Sequence, residues 1–321
     1  MKIILRNYRG LTASVAFALS MLAGSVSIAQ PPANDTQINE VRASIRSANY
    51  QNALTKVSNI LAKKSTDVAS WCLKGEIHAR LNDAAASLAS FEKAVKAKKT
   101  SICAVVGKAN ALAKLKKEDE SSMLLRQATT MKPSSAMDFL SRGTAFAGLS
   151  QDDKALADYD QALKLDPSFA EVYLNKGILS WRKGDSAGAI PLFTSAIKLD
   201  PNYVDAHTNR AAAYSKKGDA QSAIADYSTA IQVNPNDAMT LYNRGVIYLR
   251  QPVYDKAIAD FSSAIRLQPI FPEAYVNRAV AYTSTNKWAE AKKDFQKAVE
   301  QDPSGDAGQN GRRGLEMLKN Y

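Results

Sequence analysis

A phrase of eight residues returns at a constant interval: YLNKGILS at 173–180, HTNRAAAY at 207–214, LYNRGVIY at 241–248 and YVNRAVAY at 275–282. Aligned on it, the chain divides without insertion into eight units of 34 residues: 34–67, 68–101, 102–135, 136–169, 170–203, 204–237, 238–271 and 272–305. No other feature narrows the fold as far. A fixed period means one small supersecondary element stacked on copies of itself, each touching mainly its neighbours. Function is narrowed too, because a catalytic cluster is needed once and this phrase recurs.

The eighth position of a unit holds Val41, Gly75, Ala109, Gly143, Gly177, Ala211, Gly245 or Ala279, and the twentieth is Ala or Ser throughout. The twenty-seventh is Ala in every unit but the first, which has Ile60. Small residues at three fixed offsets mark a close helix–helix approach, where larger side chains would overpack at about 1–3 kcal/mol each. The twenty-fourth position supplies the bulk: Val57, Phe91, Leu125, Tyr159, Phe193, Tyr227, Phe261 and Phe295. Positions 20, 24 and 27 make an i, i+4, i+7 stripe, one face of a helix. Pro133, Pro167, Pro201, Pro235, Pro269 and Pro303 fall at the thirty-second position and end that helix, because proline disfavours the α conformation of the residue before it. KKGD at 216–219 and RKGD at 182–185 are turn signals between the two halves of a unit. Each unit therefore reads as a helical hairpin. Pro191 departs from the pattern and is expected to delay or kink the second helix of the fifth unit.

This pattern resembles the tetratricopeptide repeat family, carried here by Trp71, Gly75, Phe91 and Ala94, and again by Tyr173, Gly177, Ala189, Phe193, Ala196 and Pro201. Units 4–8 fit well, whereas units 1–3 are degenerate: Ser65 and Lys99 stand where the first two would have proline. The resemblance implies an all-α, right-handed superhelical solenoid whose first helices line a concave groove, and a protein-binding function without catalysis. Residues 306–321, with GLEMLKNY, read as a helix capping the apolar face that the eighth unit leaves open.

The N-terminus reads as an export signal. Lys2, Arg6 and Arg9 precede an apolar stretch ending in Ser27-Ile28-Ala29, so residues 1–29 are expected to be a signal peptide cleaved after Ala29, with 30–33 as a linker. The alternative is an uncleaved anchor, since the stretch is nearly long enough to span a bilayer. Export to a bacterial periplasm or beyond follows on the first reading, with no stable membrane insertion after cleavage. Without those three residues the chain has 39 basic against 31 acidic residues, a mild excess spread too evenly to argue for nucleic acid.

Within the phrase, the seventh position is basic in seven units. Where it is Arg, the twenty-third is Asp: Arg142 with Asp158, Arg210 with Asp226, Arg244 with Asp260, Arg278 with Asp294. Lys74, Lys108 and Lys176 go with Ser90, Leu124 and Leu192, and the first unit reverses the pair as Glu40 and Lys56. Such co-variation among internal copies predicts an ion pair between the two helices of a unit, Arg being favoured because its fork meets a carboxylate bidentately. Exposed, such a pair is worth only about 0–1 kcal/mol.

The sixth position is Asn175, Asn209, Asn243 and Asn277 in the last four units. The resemblance places these amides along the inner wall of the groove. There, donors and an acceptor on one side chain suit the backbone of an extended peptide. In that respect alone the stretch is similar to the repeat region of O-GlcNAc transferases; no glycosyltransferase domain follows. Helix packing accounts for the same residues equally well. Tyr242 and Trp181 would add apolar pockets, with Arg182, Lys216 and Arg250 as a basic edge suited to an acidic residue or a C-terminal carboxylate. Placement near helix C-termini explains those cations too.

His78 and His207 occupy positions held elsewhere by aromatic residues and read as core substitutes. Neither has the clustered ligands a metal needs, and no phosphate loop, nucleophile elbow or zinc-protease helix is present. Neither metal nor cofactor is expected. Cys72 and Cys103, on first helices of adjacent units, could form a disulfide after export. The expectation is a non-catalytic scaffold for a protein or extended peptide in an envelope complex. Self-association through units 1–3, or attachment to cell-wall polysaccharide, are the alternatives.

Overall fold

The computed structural model describes residues 36–321, so the expected signal segment and linker lie outside it. Every regular element among the described residues is an α-helix. In chain order these are α1 (Thr36–Arg46), α2 (Tyr50–Lys63), α3 (Val68–Arg80), α4 (Ala84–Ala97), α5 (Ile102–Lys114) and α6 (Glu118–Thr130). Then come α7 (Ala136–Gly148), α8 (Asp152–Leu165), α9 (Ala170–Arg182), α10 (Ser186–Leu199), α11 (Val204–Lys217) and α12 (Ala220–Val233). The remainder are α13 (Ala238–Arg250), α14 (Tyr254–Leu267), α15 (Pro272–Ser284), α16 (Trp288–Gln301) and α17 (Asp306–Met317). They gather into two compact units, one ending at Ala213 and one running from Tyr214 to the C-terminus.

The 34-residue pattern produces the hairpins by local chemistry. Asp67, Ser101, Ser135 and Asp237 cap first helices, and Asp83, Asp185 and Asp219 cap second ones, each side chain accepting a backbone N–H of the first turn. The tight turn between the two helices needs a left-handed residue. Gly184 and Gly218 supply it at φ 88° and 86°, Asn82 and Asn286 at φ 60°.

Packing follows the expected division between small and large positions. Ala189, Phe193 and Ala196 of α10 are fully buried, as are Ala257, Phe261 and Ala264 of α14. A Cβ on Gly177 would lie 2.6 Å from the Phe193 ring, so the eighth position must be tiny for the aromatic residue of the same hairpin to close on it. Pro191 neither delays nor interrupts α10, which begins at Ser186 as its counterparts begin at Ala84 and Ala220. Its ring is exposed, and the buried stripe of Ala189, Phe193 and Ala196 holds the helix despite one lost backbone bond. At the C-terminus, Ala307 and Leu318 bury against Phe295, and Trp288 stacks on Tyr321 at 4.4 Å, covering the end of the second unit.

Candidate functional site

The seventh-position cations form the most regular polar system. Arg142, Arg244 and Arg278 each donate from Nε and Nη2 to both oxygens of Asp158, Asp260 and Asp294, at 2.7–2.8 Å. These carboxylates are only 4–6% exposed, so the discount for surface pairs does not apply to them in full. Each guanidinium also lies over an aromatic ring three or four residues away: Phe139 and Phe146 for Arg142, Tyr275 and Tyr282 for Arg278. A third partner was not read from the sequence. Arg210, Arg244 and Arg278 donate from Nη1 to Thr194, Ser228 and Ser262, sixteen residues earlier in the preceding repeat. The lysines use that same place: Lys108 pairs with Glu92 at 3.1 Å and Lys176 with Asp160. In these five repeats an acid at the twenty-fifth position faces Lys and a hydroxyl there faces Arg; Arg142, which follows Arg126, gives its Nη1 to the Met131 carbonyl instead, and Lys56 meets Glu40 at 3.2 Å in the reversed first repeat. Asp226 is buried in its own unit; its pairing with Arg210 crosses the unit boundary and stands as a sequence expectation.

The four amides have unlike surroundings. Asn209 is buried and donates to the Asp205 carbonyl at 2.7 Å, and Asn277 is buried and donates to the Tyr242 hydroxyl at 2.9 Å. Tyr242 itself packs between Phe261 and Phe271, and burial pushes its phenol pKa up. Asn175 is buried with its Nδ2 unbonded, whereas Asn243 is half-buried. Arg182 is engaged by Asp152 and the Ala147 carbonyl, Trp181 is half-buried, and Arg250 is exposed. In the second unit, Lys216 and Arg250 are exposed and Asn243 is half-buried.

The first unit holds a charge cluster that sequence reasoning missed. Arg46 of α1 donates to Glu171 of α9 at 3.0 Å and to Asp200 in the turn before α11, and Arg80 of α3 donates to Asp205 of α11. Both Arg46–Glu171 and Arg80–Asp205 span 125 residues, so one contact recurs a repeat later. Arg42 lies over the Phe169 ring at 5.5 Å, and Glu76 sits 3.7 Å from Arg80. The two repeats at the start of the unit therefore touch the inner positions of the fifth and sixth. Burial raises the Glu76 carboxyl to about 8 despite Arg80, so it is protonated at neutral pH. Burial opposes ionisation of Glu171 too, yet Arg46 and Arg42 hold its pKa below the usual carboxylate range. With Glu76 neutral, three guanidinium groups face three carboxylates and the buried charge balances.

Cys72 and Cys103 are both buried, in neighbouring first helices, and are not joined by a disulfide. A hydrogen bond to Cys103, then burial, raises the Cys72 pKa, so the Cys72 thiol is unreactive as thiolate at neutral pH. His207 is buried with Nε2 3.0 Å from the Pro201 carbonyl, in the place where Tyr173 Oη donates to Pro167 and Trp71 Nε1 to Ser65. Among the described residues no group of three or more His, Cys, Asp or Glu could hold a metal ion, and no helix is long and apolar enough to cross a membrane.

Helical hairpins stacked in register, with polar chemistry spent on joining neighbours, define an α-solenoid of the protein-interaction type. Comparison with sequence families agrees: profiles described as tetratricopeptide repeat match 68–101, 170–203, 192–225 and 272–304, and one described as TPR repeat matches 143–184 and 213–251. The chain carries tetratricopeptide repeats through much of its length. No curated protein matches it. Among solved structures, the APC/C hetero-tetramer Cut9-Hcn1 is similar over 88% of this chain with TM-score 0.71 at 17% identity. This chain spans 56% of that one, and at such identity the likeness concerns the fold. A structure of the MamA protein is similar over 52% of this chain and 92% of its own, with 27% identity and TM-score 0.50.

Proposed function

We propose that this is a non-catalytic scaffold, exported to the periplasm or beyond, that binds a protein or extended peptide within an envelope assembly. The observation that carries the binding reading is the division of labour among polar side chains. The repeated ones are consumed in joining helices, while half-buried Asn243 and exposed Arg250 on α13 remain accessible with half-buried Leu249 between them along the helix. An amide, a cation and apolar surface on one helix suit an extended segment bearing an acidic side chain or a C-terminal carboxylate. Fold likeness to a chain crystallised in a hetero-tetramer supports assembly as the role of such a stack. Export rests on the basic, then apolar, then small-residue order of 1–29.

The test is crosslinking capture from the native envelope fraction, using residues 30–321 beside the Asn243→Ala, Arg250→Ala double variant. Neither side chain is held by an internal bond, so the variant is expected to fold as the parent does by circular dichroism. A partner taken by the parent and lost by the variant supports this surface. Equal capture by both refutes it.

A further inference from the structure

The charge cluster in the first unit is a recognition geometry that the chain satisfies with its own residues. Arg42 and Arg46 are four apart on α1 and so share one helical face. That face meets an aromatic ring, Phe169, and two carboxylates, Glu171 and Asp200, while Arg80 meets Asp205 one repeat further on. We propose that the inner face of the fifth and sixth repeats is a binding surface for a helix carrying an Arg-x-x-x-Arg pair, and that α1 is its resident, displaceable occupant. The partner class is an amphipathic helix of another protein presenting arginines at that spacing.

Three observations carry this. The surface is acidic and aromatic, which matches guanidinium chemistry better than ammonium, since a planar fork both pairs with carboxylates and lies over a ring. The long-range closing contacts are made by charged side chains, whereas the apolar residues of α1, Ile38, Val41 and Ile45, pack on α2 and α3; a competitor with the same groups exchanges one arginine–carboxylate set for another and leaves that core in place. The resident fit is also incomplete. Asn175 Nδ2, one turn beyond Glu171 on α9, is buried with no hydrogen-bond partner. An occupant that supplied an acceptor to this amide would bind better than α1 does.

The inference rests on the scaffold reading but fails separately from it. The probe is a fluorescent peptide with the sequence of residues 36–49, TQINEVRASIRSAN, titrated by anisotropy into the 30–321 protein. The Arg46→Ala, Arg80→Ala variant removes the resident contacts and is expected to bind the peptide roughly tenfold more tightly than the parent. A peptide with both arginines changed to Ala is expected to lose that binding, as is the opened variant further changed by Glu171→Gln, Asp200→Asn and Asp205→Asn. Binding no tighter after opening, or indifferent to the peptide's arginines, overturns the proposal. Should the opened variant not fold, hydrogen exchange of the parent decides: excess peptide should speed exchange across 36–46, and unchanged exchange there overturns it. Peptide binding with no envelope partner captured would count against the scaffold role and leave this surface standing.

Discussion

Removing Arg244 is the sharpest test of the repeat-joining network. Its guanidinium gives two bonds of 2.8 Å to Asp260, one of 2.9 Å to Ser228 in the previous repeat, and lies over the Tyr248 ring at 5.8 Å. Asp260 is 6% exposed, so Arg244→Ala leaves a carboxylate almost out of water with its bidentate partner gone. Breaking a fully buried pair from one side costs about 3–5 kcal/mol, and the 19% exposure of the Arg244 side chain reduces this to about 2–4 kcal/mol. Arg244→Lys keeps the charge but not the fork and should lose about 1–2 kcal/mol. Asp260→Ala removes the acceptor and leaves a partly hydrated cation, so its cost should be smaller than that of Arg244→Ala. Urea unfolding of both single variants and the double variant gives the coupling energy, expected at about 1–3 kcal/mol. A coupling near zero would refute the network as a source of stability. Two-state analysis must first be checked with a second probe, because stacked repeats can unfold in parts.

Glu76 gives a pH prediction with a definite sign. Its folded pKa of about 8 lies above the ordinary 4.5, so between these values the folded chain holds a proton that the unfolded chain releases. The stabilisation is complete below 4.5 and is lost as pH rises towards 8, by a few kcal/mol at most. Glu171 works oppositely and only on the acid side, because its pKa is lowered. Thermal unfolding at pH 5.5 and pH 8 should show the parent weaker at pH 8 and Glu76→Gln nearly flat; the same slope in both would refute the assignment. Pro191→Ala should stabilise by about 1–3 kcal/mol, because it restores a backbone donor within α10 at an exposed position whose conformation is already helical. Lower stability in denaturant for that variant would show the ring to be needed.

Residues that act within one repeat, or between neighbours, were legible because the period repeats the evidence. Eight copies of the eighth and twenty-fourth positions show that small meets large, and the Arg–Asp co-variation points to a contact sixteen residues apart. The Ser and Thr at the twenty-fifth position carried the same kind of signal, but a hydroxyl there is also an ordinary helix-surface residue and stands out only once the cation it meets is known. The delay expected from Pro191 does not occur, because α10 is held by its buried stripe.

The contacts of Arg46 and Arg80 belong to another class. A separation of 125 residues is set by how far each repeat rotates against the last, summed over four repeats. Small differences in packing at each junction accumulate, so no single repeat encodes whether position 13 of one will meet position 2 of another. The sequence does hold the complementary charges, Arg46 and Arg80 against Glu171 and Asp205, each pair offset by one period. Periodicity therefore supplies the register of this contact, while curvature decides whether the two faces meet. Where they meet, the chain's own arginines occupy carboxylates on the helices that carry Asn175 and Asn209. Asn175, Asn209 and Asn277 are all buried, and the accessible amide of α13 is the one to test first for an outside partner.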